Sequence, residues 1–279
     1  VTKLRALESP LRAWRSFRDI ARATQTLAAV QAMQWAERSA RADAHLSWCE
    51  AVAAAHRLPP SPGPRPRVVL VLGTELGLCG SLNRELAACC ERAGLDRAPT
   101  VLSVVVGSRL ALLEPLAGAR PIHREAPSSL PAARRLGAEI EDLINLLPDA
   151  LAVELSIVLA TAVDEDAHPR VELRTSARPD LELEPSDRSW LDRPRRELSV
   201  PASFAGQAQL LARNARLVAA LCRAITSENE ARWRTMSRAH ESAQRRIGEQ
   251  ERRLRRLRQE LITQEMLEAR QGSGTSRQG

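Results

Sequence analysis

"MSRAHESAQRRIGEQERRLRRLRQELITQ", Met236 to Gln264, has no proline and a single glycine, and its apolar residues recur at alternating intervals of four and three. Met236, His240, Ala243, Ile247, Gln250, Leu254, Leu257, Leu261 and Gln264 make up the series, a coiled-coil seam with polar interruptions. The helical pattern continues on both sides, from about Ser203 to Arg270. At the rise of an α-helix those residues would extend about 100 Å, and such a helix needs a partner to be stable in water. The other end of the chain offers one. Residues 4–57 are helix-forming, and Phe17, Ile20, Leu27, Val30 and Met33 mark the expected contact face.

Between the two helices the texture changes. "LPPSPGPRP" ends the first helix, and then "RVVLVLG", "TVLSVVVG" and "ELSIVLATAV" read as buried strands. Helical segments at about 81–94, 108–117 and 131–147 alternate with them, so the middle is expected to be α/β around a largely parallel sheet, with "HPRVELRTS" as an edge strand. The fold class is α/β plus α: two long terminal helices forming an antiparallel coiled coil, with a central Rossmann-like α/β domain. The expected domains are an N-terminal coiled-coil helix (1–57), a Pro-rich linker (58–66), the α/β domain (67–202), a C-terminal coiled-coil helix (203–272) and a disordered tail (273–279). "ARPDLELEPSDRSWLDRPRRELSVP" reads as an exposed connection, and Pro10 either opens the first helix behind Ser9 as cap or kinks it.

Composition narrows the chemistry. The 279 residues carry a formal charge of +7, and 40 of the 41 basic residues are arginine. Such a balance admits an acidic protein, an anionic surface or nucleic acid as partner. The five cysteines (49, 79, 89, 90, 222) include no CxxC and the five histidines are dispersed, so neither a disulfide framework nor a metal site is indicated. No apolar run reaches the ~20 residues of a membrane helix, and "VTKLRALESP" does not read as a signal peptide. "GTELGLCGSLN", Gly73 to Asn83, stands where an α/β protein cradles a phosphate, but its glycines fit neither GxGxxG nor GxxxxGK[ST]. The chain's one lysine, Lys3, is far away in sequence. No cofactor and no catalytic residue is expected.

Three stretches carry a resemblance. "ELGLCGSLN" resembles the GLCGGLN signature of the gamma subunit of F-type ATP synthases, "VVVGSRLALL" is similar to the strand and helix start that follow in that family, and "SENEARWRTMSRAHESAQRRIGEQERRLRRLRQELITQEMLEARQG" matches its C-terminal helix without a gap. Ser227, Glu228, Ala231, Arg232 and Met236 are kept at the start of the last stretch, and Arg258, Gln259, Ile262, Thr263, Gln264, Glu265 and Glu268 near its end. "TQTLAAVQA" is close to the "LAAV" of gamma subunits from alternate F-type ATPases. The family's seam is apolar, whereas this chain has Arg246, Arg252 and Arg253 at or near positions that are usually Leu or Val there, which suggests a divergent or alternate-type member with arginine on the seam itself.

The resemblance implies a rotor shaft that transmits torque between a membrane c-ring and a catalytic hexamer, coupling H+ or Na+ translocation to ATP synthesis or hydrolysis. It implies a subunit that is not an enzyme by itself. The partners are three alpha and three beta subunits, an epsilon subunit and the c-ring, with no nucleic acid. The protein would be peripheral to the cytoplasmic face of a bacterial cell membrane through the complex. The turn Gly77, Leu78, Cys79, Gly80 becomes architecture: Gly77 and Gly80 let the chain reverse, and Leu78 and Cys79 tuck beneath. Arg232, Arg258, Gln259, Thr263, Glu265 and Glu268 become the expected contacts with beta. The alternative is a basic coiled-coil adaptor or nucleic-acid-binding protein, suggested by the seven arginines between Arg245 and Arg258.

Overall fold

The computed structural model describes residues 2–56, 65–95, 97, 101–116, 120–176 and 202–275, with the backbone alone at the helix ends 2–7, 202–203 and 268–275. Both the linker expected at 58–66 and the connection expected at 177–201 lie almost wholly outside these residues. The chain divides into a helical unit, Val1–Leu27 with Trp233–Gly279, and an α/β unit, Ala28–Arg232. Helices α1 (Thr2–Ala55) and α5 (Ala202–Thr275) each contribute to both.

α1 is rich in alanine and free of glycine, which favours helix throughout. It already runs at Thr2, so Ser9 does not cap it and Pro10 lies inside the helix. In the helical unit Leu11 is buried with Ile247 and Leu254, and Trp14 packs against them. Arg15 pairs with Glu251 at 2.6 Å, Arg258 with Glu8 at 3.3 Å, and Gln25 Nε2 donates to Ser237 Oγ at 3.2 Å. Partner numbers fall on α5 as they rise on α1, so the helices are antiparallel.

The seam of α5 is where the period places it: Met236, Ala243, Ile247 and Leu254 are buried, while His240, Gln250, Leu257 and Leu261 are half-buried. Arg246, Arg252 and Arg253 are exposed, which corrects the expectation of arginine on the seam. They stand one or two residues from Ile247 and Leu254, and about 100° per residue turns them off the contact line. The contact face of α1 also differs from the expected one. Ile20 and Leu27 are 62% and 59% exposed, whereas Ala21 is 1% exposed. The same holds in the α/β unit, where Val30 and Met33 are exposed and Ala28, Ala32 and Trp35 buried. The buried stripe of α1 mixes small residues with Leu11 and Trp35, while Ile20, Leu27, Val30 and Met33 are left outside it.

The α/β unit runs β1 (Arg67–Leu72), α2 (Leu82–Arg92), β2 (Leu102–Val106), α3 (Ser108–Ala111), β3 (Ile122–Arg124), α4 (Leu130–Asn145), β4 (Glu154–Val163) and β5 (Pro169–Ser176). The sheet order is β3-β2-β1-β4-β5, parallel except for the antiparallel edge strand β5. Alternate residues of β1 serve opposite faces. Val68, Leu70 and Leu72 join Ile140 and Ile144 of α4 and Leu217 and Leu221 of α5. Val69 and Val71 join Leu86 and Cys90 of α2, and Ala231 of α5. Burial on both faces explains why these strands are continuous apolar runs. Ser129 caps α4, accepting from Ala132 N at 3.3 Å.

One buried charge fastens α4 to α5. Arg213 donates to both carboxylate oxygens of Glu141, the shortest at 2.6 Å, to Asn145 Oδ1 at 2.9 Å and to the Ala150 carbonyl. With its donors occupied, the guanidinium tolerates burial. Farther along α5, Arg216 pairs with Glu50 of α1 at 2.6 Å and Arg223 with Asp43 at 2.5 Å. Among the described residues no helix is long and apolar enough to cross a membrane.

Candidate functional site

The end of β1 leads into the loop that the sequence offers as a phosphate cradle. A Cβ on Gly73 would lie 2.3 Å from the Leu110 Cβ, so only glycine lets Leu110 close over the strand end. Beyond it the backbone is left-handed at Leu78 (φ +70) and Gly80 (φ +61). Gly77 is not left-handed, and a Cβ there would meet open space, so its expected role in the reversal falls to Leu78 and Gly80. Leu78 is 57% exposed and is not tucked beneath the turn. Cys79 is buried, with Sγ 3.4 Å from the Gly77 carbonyl. Burial pushes its thiol up to about 12, the state of an unreactive core thiol.

The chain's own carboxylate occupies the backbone donors of this region. Glu75 accepts from Ser108 N at 3.1 Å and from Ala126 N at 3.0 Å. Burial works to raise its pKa, but these donors, the Ser108 side chain and Arg109 outweigh it and hold the group below the usual carboxylate range. Asn83 closes the loop by accepting from Thr74 N at 3.2 Å and donating to Thr74 Oγ1 at 2.8 Å. The loop is therefore an internally satisfied brace. Among the described residues no group of His, Cys, Asp and Glu is arranged to hold a metal ion.

One stretch of α5 grips this loop. Arg232 donates to the Gly77 carbonyl at 3.4 Å, to Asn229 Oδ1 at 3.1 Å and to Glu228. Glu228 also accepts from the Leu76 backbone, and Ser227 Oγ donates to the Ala160 carbonyl at 2.9 Å. Burial raises the pKa of Glu228, against the pull of Arg232. With 7% of its surface exposed, Arg232 is spent inside the fold, which corrects its expected place among the contacts with a partner.

The remaining expected contacts belong to the helical unit. Arg258, Gln259, Thr263 and Glu265 are exposed on α5; Arg258 reaches Glu8, and the Thr263 hydroxyl donates to the Gln259 carbonyl at 2.9 Å. The Glu268 side chain lies outside the described residues. Ile262, Met266 and Leu267 are exposed beside them, an apolar component that the polar reading passed over. Their positions off the seam period were the available signal.

A family model described as ATP synthase matches residues 3–274. Among solved structures, the fold is similar to a chain of the Euglena gracilis mitochondrial ATP synthase rotor in rotational state 1. That match has 12% identity and a TM-score of 0.67, over 94% of this chain and 99% of that one. A second Euglena gracilis match, from an assembly that includes the c-ring in rotational state 3, has 15% identity and a TM-score of 0.66, over 99% and 94% of the two chains. A chain of the Tetrahymena thermophila mitochondrial ATP synthase central stalk and c-ring has 15% identity and a TM-score of 0.52, over 79% and 99%. No curated protein matches the sequence.

Proposed function

Because this chain belongs to the ATP synthase gamma-subunit family, as a central-stalk subunit, we propose that it turns as the rotor shaft of an F-type enzyme with three alpha and three beta subunits around it. Torque then passes between a c-ring in the membrane and the catalytic hexamer, coupling H+ or Na+ movement to ATP synthesis or hydrolysis. The observation that carries this reading is the match over residues 3–274, which takes in both long helices and the sheet between them. In this reading the subunit is not catalytic itself. An epsilon subunit joins it at the foot, and the complex holds it peripherally at the cytoplasmic face of a bacterial cell membrane. Arg258, Gln259, Thr263 and Glu265 face moving loops of beta, and Glu268 is included on the family match alone. The brace around Glu75 supports a loop that holds no nucleotide.

Purification from the native membranes through a tag on this chain tests the reading. Alpha and beta should be recovered at three copies each per tagged chain, with the epsilon subunit and the c-ring. Recovery as a stable free monomer, from cells that contain the other subunits, contradicts it.

A further inference from the structure

Two short stretches of the chain repeat one pattern. "ESPLRAWR", Glu8 to Arg15, and "ERRLRRLR", Glu251 to Arg258, both read Glu-x-x-Leu-Arg-x-x-Arg. Intervals of three, four and seven keep the four residues on one face of a helix. In the helical unit the antiparallel pairing of α1 and α5 brings the two faces together. An approximate half-turn about an axis between the helices exchanges Leu11 with Leu254, which pack together, and the ion pair Arg15–Glu251 with Arg258–Glu8. The two quartets line a cleft of about 610 Å³, and among the described residues they are its whole lining.

The charges of this cleft do not balance. Glu8 stands four residues before Arg12 and Glu251 four before Arg255, the spacing of an ordinary intrahelical pair. Both carboxylates bond across to the other helix instead, to Arg258 and Arg15. Arg12 and Arg255 are left without a carboxylate among the described residues, two like charges on the walls of one cleft. Leu11 and Leu254 are buried and make its floor apolar, which strengthens any electrostatic interaction beside it.

We propose that this cleft binds a diphosphate group, with one phosphoryl end on Arg12 and the other on Arg255, and that the bound anion clamps α1 to α5. The inference stands apart from the rotor reading, because it rests only on how the two helices pair. Guanidinium groups hold phosphate through paired N–H donors. A diphosphate has two like ends about its bridging oxygen, which matches the two-fold arrangement of the arginines. Arg15 and Arg258 each spend a single nitrogen on glutamate and keep donors for the same anion. A monoanion would neutralise one free guanidinium and leave the other uncompensated, whereas a diphosphate neutralises both. Free inorganic diphosphate and a nucleoside diphosphate present this same group.

The test is a calorimetric titration of the full-length chain, expressed alone, with inorganic diphosphate and in parallel with ADP, inorganic phosphate and sulfate at constant ionic strength. The wild type should bind diphosphate one-to-one, and Arg12→Gln with Arg255→Gln should weaken binding at least about tenfold. Arg252→Gln with Arg256→Gln removes the same charge from α5 outside the cleft and should change the affinity by less than about twofold. Arg12→Lys with Arg255→Lys keeps the charge without the planar fork and should fall between wild type and the first Gln pair. In thermal unfolding, saturating diphosphate should raise the wild-type midpoint and leave that of the first Gln pair unchanged. No saturable binding by the wild type, or equal losses from the two Gln pairs, overturns the proposal. So does equal affinity for phosphate or sulfate, because a single small anion would then suffice. Were the first Gln pair not to fold, the Lys pair carries the decision, and wild-type affinity in it overturns the proposal. ADP binding as tightly as inorganic diphosphate supports the site and assigns it to the nucleotide, and weaker ADP binding supports it as a site for the free anion.

Discussion

At Gly73 and Gly77 the same residue type has opposite meanings. A methyl group on Gly73 would overlap Leu110, whereas Gly77 has room. Gly73→Ala should therefore destabilise the subunit by roughly 1–3 kcal/mol, and Gly77→Ala should leave the unfolding temperature within about two degrees of wild type. A larger loss at Gly77 than at Gly73 in thermal unfolding would show that the loop is held differently. Glu75 makes a second prediction. Its folded pKa is depressed, so the stability it contributes is present above the ordinary carboxylate pKa and lost as pH falls through the lower folded value. Glu75→Gln should lower stability at neutral pH and flatten the acid limb of a pH–stability curve. An unchanged acid limb would mean that the carboxylate does not hold Ser108 and Ala126. The sequence shows the loop's glycines but not this brace, because Glu75 meets backbone groups 33 and 51 residues away, which only the folded sheet brings together.

At the scale of the element, the two helices differ in how much of their packing can be read. The seam of α5 is legible because a run of Leu, Ile and Met at alternating three and four leaves one solution for which side is buried. α1 has two apolar stripes, one of Phe17, Ile20, Leu27, Val30 and Met33 and one in which alanines alternate with Leu11 and Trp35, and bulk alone points to the wrong one. At Ala21 and Ala28 the buried positions hold only a methyl group, each 1% exposed, so there is no room there for a larger side chain. Ala21→Leu should therefore cost about 1–3 kcal/mol by overpacking, and Ile20→Ala almost nothing in the unassembled subunit. The reverse ranking in thermal unfolding would restore the bulky stripe as the contact. β3 escaped reading because three residues, Ile122–Arg124, show no alternation. Arg213 and Glu141, buried together, could not be paired across 72 residues of sequence. Arg213→Met leaves the Glu141 carboxylate buried without its partner, and the loss should reach about 3–5 kcal/mol. A change below one kcal/mol would mean that water reaches Glu141.

For the whole molecule the question is whether the exposed end of α5 couples or merely spins. Arg258, Gln259 and Thr263 are solvent-facing in the subunit, so replacing all three by alanine leaves the buried seam and the helix intact. If they touch moving loops of beta, each lost contact removes roughly 1–3 kcal/mol of angle-dependent interaction. ATP-driven ion pumping should then fall further than ATP hydrolysis in the same membranes, and equal, wild-type values of both would make these residues ordinary solvated surface. The central claim, that this chain turns within a hexamer, is tested most directly by watching it turn. With the hexamer fixed to glass through alpha or beta and a bead attached at Leu112→Cys, an exposed position of the α/β unit, ATP should drive rotation in one direction, halting in three orientations per turn. Hydrolysis of ATP while the bead shows only undirected Brownian motion would contradict the account.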